Sequence, residues 1–196
     1  MNKIPELHQP LENMVIWQNG FNSEELDKVI AACELSEFNK GSVGGGQTPQ
    51  MVDANVRETD VTWVEQNAAN GWIYQRMANL AARINADKFQ FELSHFQPLQ
   101  YGKYKPNGHY TWHYDSGPNL PEHRKLSFVV ALSDPDSYEG GEFEINIKGN
   151  QDEPHSMKIR RGDMVVFPSY VAHRVVPVTS GERLTLTGWV VGPKFK

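Results

Sequence analysis

Apolar positions recur at helical spacing through the first half of the chain and at alternate positions through the second. Leu26, Val29, Ile30 and Cys33 share one helical face. Before them stand Asn22 and Glu25 at capping-box spacing, and a Phe21 that can staple onto Leu26. A second stripe, Val64, Ala68, Trp72, Ile73, Met77, Leu80, Ala81 and Ile84, predicts a second helix. Thr62 and Glu65 repeat the capping spacing, so that helix is expected to start at Asp60 or Thr62. Between the stripes, Gly41-Ser42-Val43-Gly44-Gly45-Gly46 is rich in residues with free φ and poor in core formers. It predicts a mobile loop over 41–58 that closes over a site.

From Lys88 the apolar period falls to two. Phe89, Phe91, Leu93 and His95, followed by Leu99-Gln100-Tyr101, predict a long bulged strand. Lys105-Pro106-Asn107-Gly108 predicts a type I turn. Further strands are predicted over 125–133, 141–147, 157–159, 164–167, 173–178 and 183–191. Helices first and seven or eight short strands after them predict an α+β chain that is mainly β. The expected fold is a double-stranded β-helix, or jelly roll, with the N-terminal helices packed on one sheet. The 196 residues fit one domain: a helical part over 1–87 with its Gly-rich loop at 41–58, and a β-helix core over 88–192.

Charge narrows the partners. Lys and Arg total 19 against 24 Asp and Glu, a net charge of −5, which argues against a nucleic-acid partner bound by phosphate neutralisation. No apolar run reaches about 18 residues, so no membrane span is expected. Residues 1–8 lack the apolar core of a secretory signal, and a cytoplasmic location is expected. Cys33, the one cysteine, has no internal disulfide partner and reads as a small buried hydrophobe.

His113-Tyr114-Asp115 carries the chemistry. In an extended strand successive side chains alternate, so His113 and Asp115 face one way and Tyr114 the other. His173 adds a second imidazole. Two histidines and one carboxylate make the facial triad of a non-haem Fe(II) centre that keeps positions open for O2 and a co-substrate. Zinc suits the same ligands, and a cupin-like metal-binding module without oxygenase activity is open on these three residues alone. The distant basic residue, Arg183, ten positions past His173, favours the oxygenase.

On the last strand Arg183, Thr185, Thr187 and Trp189 share one face, opposite Leu184, Leu186 and Val190. The aliphatic face suits the helices, so the polar one looks into the barrel, where an unpaired arginine is costly. The distal carboxylate of 2-oxoglutarate would resolve that cost, gripped by Arg183 with a hydroxyl from Thr185. Tyr104 and Tyr110 flank the turn before the metal strand and predict pocket positions. Trp112 and Tyr114 point away from the ligands and predict core packing, as do Trp17, Trp63 and Trp72. Trp189 suits either a cleft wall or packing, and Arg124 can grip a peptide backbone. His8, His95, His109, His123 and His155 lack ligand spacing, with His109 and His123 in reach of a cleft entrance.

Over residues 90–191 the order and spacing of these motifs resemble the prolyl 4-hydroxylase branch of the Fe(II)/2-oxoglutarate-dependent dioxygenases. The resemblance is carried by Tyr104-x-x-x-Gly108-x-Tyr110-x-x-His113-x-Asp115, Glu139-Gly140-Gly141-Glu142, Gly162-Asp163, Phe167-Pro168, His173, Arg183 and Trp189. A looser match, Val56-Arg57-Glu58-Thr59-Asp60, falls on the branch's substrate-covering segment. The resemblance implies iron ligation by His113, Asp115 and His173, 2-oxoglutarate contacts from Tyr104 and Arg183, and a substrate side formed by Tyr110 and Trp189. It implies Fe(II), 2-oxoglutarate and O2, with ascorbate as an accessory reductant. The implied substrate is a proline-containing peptide or protein, hydroxylated as 2-oxoglutarate becomes succinate and CO2. Another side chain or a free amino acid is the alternative substrate for the same chemistry. Two positions depart from the branch. Arg183 stands where collagen-type and algal-type enzymes usually have lysine, which is closer to the bacterial PKHD-type proteins. Phe143 replaces the threonine that often follows Gly-Gly-Glu, and this changes the pocket shape.

Overall fold

The computed structural model describes residues 14–45, 48–117, 123–147, 149 and 152–194. Ser23–Glu34 forms the first helix, α1, and it starts as the sequence predicts. The Asn22 side chain accepts from the Glu25 amide and the Glu25 carboxylate accepts from the Asn22 amide, both at 2.9 Å. Leu26, Val29 and Cys33 form its buried face.

The second helix, α2, covers Gly71–Ile84 and does not begin at 60 or 62. Asp60–Val64 is instead a strand, paired antiparallel with Leu99–Tyr104 from Asp60↔Lys103 to Val64↔Leu99. Its β-branched Val61, Thr62 and Val64 favour that pleat over a helical turn. The strand gives way to α2 at 67–70, where the Asn67 and Asn70 side chains accept from nearby backbone amides. The strand expected from Phe89 to His95 is also different. Asn85–Phe89 is a π-helical turn continuing α2, Gln90 follows at φ 54°, and strands occur only at His95–Phe96 and Leu99–Tyr104. The alternating Phe89 and Phe91 do not lie on a pleat; their rings stack on each other with centroids 5.9 Å apart. In the turn at 105–108 the Gly108 amide donates to the Lys105 carbonyl at 2.6 Å. Asn107 has φ 71° there, the type II arrangement and not type I.

Two antiparallel sheets make the body. The larger runs in the order Val15–Trp17, Met164–Pro168, Arg124–Ala131, Arg183–Val191, Leu99–Tyr104, Asp60–Val64, Asn39–Lys40, with His95–Phe96 also paired on Arg183–Val191. The smaller runs His155–Met157, Phe143–Ile145, His173–Val175, His109–His113, Arg57–Glu58. The first 87 residues therefore supply strands to both sheets as well as the two helices. Side-chain alternation divides the larger sheet between two cores. Leu126, Phe128, Val130, Leu186 and Val190 pack with Leu26, Ile73, Met77 and Ile84 of the helices. Val129, Val165 and Phe167 pack with Phe143, Ile145 and Val175 of the smaller sheet. This is a double-stranded β-helix with helices on one sheet. Its inner face also buries Ser127, Gln100, Arg183 and Thr185. Polar groups in that position are costly without partners, so they mark where core ends and a site begins.

Candidate active site

His113 ends the strand His109–His113 and pairs directly with His173, the first residue of His173–Val175. Opposed positions in an antiparallel pair share a face, and the two imidazole centroids stand 4.1 Å apart. Asp115 lies just past the strand. Its amide and that of Ser116 both donate to the Ser169 carbonyl at 3.0 Å. The Ser127 hydroxyl donates to Asp115 Oδ2 at 2.7 Å and meets the Ser169 hydroxyl at 2.9 Å.

Each imidazole is oriented by backbone two residues earlier. His113 Nδ1 lies 2.8 Å from the Thr111 carbonyl, and His173 Nδ1 lies 3.0 Å from the Val171 carbonyl. A carbonyl only accepts, so each Nδ1 carries the proton and each Nε2 presents a lone pair. Those Nε2 atoms are 3.9 Å (His113) and 3.4 Å (His173) from the Asp115 carboxylate, and the three ligand atoms all lie within 4.8 Å of one another. Ligands about 2.1 Å from one ion and at right angles stand about 3 Å apart. A small contraction would close these atoms on a metal.

Burial, then the neighbouring His173, pulls the His113 imidazole down to about 3, against the opposing pull of Asp115. Burial would raise the Asp115 carboxyl, but His173, His113, Arg124 and the Ser127 hydroxyl outweigh it and hold it at about 2. Near pH 7 the His113 imidazole is neutral and the carboxylate is ionised, which are the ligating forms.

The three groups line a cavity of about 290 Å³. At one end Arg183 is 4% exposed, with its guanidinium carbon 5.2 Å from the Tyr104 ring and its side chain beside the Tyr138 hydroxyl. No carboxylate among the described residues pairs with it. A buried cation without an anion is costly, and Thr185 adds a buried hydroxyl on the same strand face. The donor set and this guanidinium fit a divalent metal and a carboxylate-bearing co-substrate.

All the site residues read from the sequence meet here: His113, Asp115, His173, Tyr104, Arg183, Thr185, Tyr110, Trp189 and Arg124 line the cavity. The Tyr110 ring stacks on His113 at 3.5 Å between centroids and 11° between planes, and burial pushes its hydroxyl up to about 12. The Arg124 guanidinium lies 4.0 Å over the Trp189 ring and donates to Gln97 Oε1 at 2.6 Å. His109 and His123 do not line the cavity.

Two aromatics expected in the core lie at its mouth. Tyr114 is 56% exposed, because the strand ends at His113 and leaves it no facing layer. Trp63 is 49% exposed, since it sits on an edge-ward strand and not in a helix, with its ring 6.2 Å from that of Trp189. Trp112 is half-buried under the Arg174 guanidinium, 4.8 Å from its ring. The cavity also holds Arg57, Gln100 and Gly102, which sequence reasoning had not assigned to it. Gln100 and Gly102 alternate with Tyr104 along one strand, a signal that period-two reading could have used. For Arg57 the sequence offered only the loose match of 56–60 to a substrate-covering segment.

The sequence profile of the 2OG-Fe(II) oxygenase superfamily matches residues 97–191. A PKHD-type hydroxylase of Crocosphaera subtropica is 30% identical over 175 residues, 88% of this chain and 75% of the relative. Another from Teredinibacter turnerae is 33% identical over 172 residues, 85% of this chain and 72% of the relative. Among solved structures, a Pseudomonas putida prolyl-4-hydroxylase superposes with a TM-score of 0.72 at 22% identity, covering 93% of this chain and 94% of that one. A Trichoplax adhaerens prolyl hydroxylase, solved with a hypoxia inducible factor oxygen degradation domain peptide fragment, gives a TM-score of 0.75 at 16% identity, covering 92% and 84%. The chain belongs to the 2OG-Fe(II) oxygenase superfamily, as a dioxygenase of the PKHD-type hydroxylase group that uses Fe(II), 2-oxoglutarate and O2.

Proposed function

We propose that this protein hydroxylates prolyl residues of a peptide or protein, as one catalytic domain, with His113, Asp115 and His173 holding the iron. The observation that carries a peptide substrate is the apolar rim of the cavity. Trp63 and Tyr114 line its mouth while 49% and 56% exposed, and Met51 and Val52, next to the lining Gln50, are each 58% exposed. A free amino acid would leave that rim uncovered, whereas an extended segment would bury it.

Bound Fe(II), with O2 and 2-oxoglutarate, supplies the oxidising power to hydroxylate an unactivated C–H bond while 2-oxoglutarate leaves as succinate and CO2. The protein's own groups position the reactants. Asp115 and the two Nε2 atoms would hold the metal as its three protein ligands, so that its remaining positions would be free for co-substrate and O2. Arg183 takes the distal carboxylate of 2-oxoglutarate in its two-pronged fork, with hydroxyls from Tyr104 and Thr185. Tyr110 remains protonated across the physiological range and offers its O–H as a donor towards substrate. Trp189 Nε1 is buried without a partner among the described residues, which suits a substrate carbonyl. The backbone at 42–44 and the Gln50 side of the hairpin Val43–Gly45/Thr48–Met51 cover the opening and help to keep water out. This reading retains the expected loop over 41–58 as a cover; Gly46 lies outside the described residues. Among the described residues no helix is long and apolar enough to cross a membrane; the cytoplasmic location expected from the sequence stays part of this proposal.

Incubation with Fe(II), 2-oxoglutarate, O2 and proline-containing peptides tests the reading. The expected result is succinate formed in step with a one-oxygen mass gain located on proline. Oxygen on another side chain or on a free amino acid, with the prolines untouched, would reject the prolyl assignment and leave the reaction class standing.

A further inference from the structure

The cavity has a second buried guanidinium, Arg57, to which the chemistry above gives no role. It is 8% exposed and lines the cavity on the wall that carries Tyr110. Its seat is built. The Arg57 amide donates to the Asp53 carbonyl at 2.8 Å, its backbone pairs with Tyr110, and its guanidinium carbon lies 4.7 Å from the Tyr110 ring. Gly41 makes the room, since a Cβ there would stand 2.5 Å from Arg57 Nε. Yet every group that meets the cation is neutral: Gln100 Oε1 at 2.6 Å, the Ser42 carbonyl at 3.4 Å and the Tyr110 ring. Its Nε has no partner. Among the described residues Asp115 is the one carboxylate lining the cavity, and it serves the metal site.

A guanidinium in a water-poor site with only neutral partners is under-compensated. Loading the site does not change this. Fe(II) and the 2-oxoglutarate dianion cancel in charge, as do Arg183 and Asp115, which leaves the buried charge of Arg57 beside the half-buried Arg124 that donates to Gln97. We propose that Arg57 selects a substrate with a carboxylate close to the hydroxylated carbon, either an acidic side chain or a free C-terminal carboxylate. The inference rests on the co-substrate orientation above, in which Arg183 is already occupied. Spacings of 4.7 Å and 3.5 Å separate Arg57 from Tyr110 and Tyr110 from His113. An extended chain advances about 3.3 Å per residue, so the acid falls within two or three residues of the target.

The test uses peptides with one central proline, carrying aspartate or asparagine at each of the three positions on either side, with free or amidated C-termini. Oxygen incorporation by the Fe(II)- and 2-oxoglutarate-loaded protein is followed with kcat and KM separated. The expected result is a KM about 10- to 100-fold lower for the acid than for its amide, the size of a charge-assisted hydrogen bond. Arg57→Gln removes the difference and Arg57→Lys keeps part of it, while the amide peptides change little. The arm that shows the preference tells side chain from terminus. An Arg57 that only braced Tyr110 would affect acid and amide alike, and that outcome overturns the proposal, as does an acid preference that survives in Arg57→Gln. If none of the peptides gains oxygen, the prolyl reading fails. The inference is then judged by calorimetry of N-acetylleucine and N-acetylleucinamide on the Mn(II)- and 2-oxoglutarate-loaded protein. Equal affinities, or the same difference in Arg57→Gln, overturn it.

Discussion

The cavity is walled by two parts of the chain that fix their side chains by different means. The wall from Leu99 to Val191 is made of paired strands whose alternation sends Tyr104, Arg183, Thr185 and Trp189 inward by local geometry. The wall from Ser42 to Trp63 is made of short pieces that acquire a direction only by docking. Arg57 faces the site because it pairs with Tyr110, and Trp63 because it pairs with Gln100. Both walls bury an arginine without a carboxylate partner among the described residues. The C-terminal arginine sits on a nine-residue strand, and the N-terminal one on a strand of two. On the proposed reading the metal and co-substrate sites belong to the first wall, and the contact that selects an acidic substrate belongs to the second.

The largest break of that comparison comes from the metal ligands. His113→Ala, Asp115→Ala and His173→Ala should each abolish succinate formation and stoichiometric metal binding. Far-ultraviolet dichroism should stay native, because Leu126, Phe128, Val130 and Ile145 keep the core intact. A variant with near-normal succinate output would remove that residue from the ligand set. Next in size is Arg183→Ala, which should raise the 2-oxoglutarate KM with little change in metal affinity. Losing one partner of a buried charged pair costs about 2–5 kcal/mol, or roughly 30-fold to several-thousand-fold. Arg183→Lys should recover part of the loss, keeping charge without the fork. A collapse of metal binding with the 2-oxoglutarate KM unchanged would reverse the assigned orientation.

The first wall was readable in the sequence for the same reason that it is rigid. His113, Asp115, His173 and Arg183 lie on or beside strands whose period is visible, and the turn at 105–108 announces its hairpin. The second wall was not. Thr62 and Glu65 have capping-box spacing, yet Asp60–Val64 is a strand, because pairing with Leu99–Tyr104 outweighs a local cap signal worth about 1 kcal/mol. Trp63 was misplaced with it. Ser127 was hidden differently: alternation put it on the inner face, but only the fold brings that face to Asp115.

Ser127 gives the next, smaller effect. Ser127→Ala removes the hydroxyl that holds Asp115 Oδ2 and should weaken metal binding about 10- to 100-fold, as loss of a ligand's orienting partner does. Wild-type affinity in that variant, measured by anaerobic metal titration, would mean that the Ser169 carbonyl contacts suffice to place the carboxylate. A pH effect accompanies it. His113 is held at about 3 against 6.5 when unperturbed, and Asp115 at about 2 against 3.8. The unfolded chain therefore binds protons that the native metal-free protein refuses. The corresponding stability is fully present above pH 6.5 and is lost as pH falls towards 3. Melting temperatures of the metal-free protein should fall more steeply in that window than those of His113→Ala. Parallel curves would remove His113 as the cause.

The smallest effect probes the second wall alone. Trp63 is half-exposed at the mouth and tilted against Trp189 at 6.2 Å. Trp63→Ala should raise the peptide KM about 2- to 13-fold, the range expected for an aromatic pair worth about 0.5–1.5 kcal/mol. The 2-oxoglutarate KM and the slow succinate formation without peptide should remain at wild-type values, since Thr185 and Arg183 are untouched. Half of the indole already faces solvent, so the folded state loses little packing and its melting temperature should shift little. If the 2-oxoglutarate KM moved together with the peptide KM, the two walls would act as one unit. The division between a co-substrate wall and a substrate wall would then have to be abandoned.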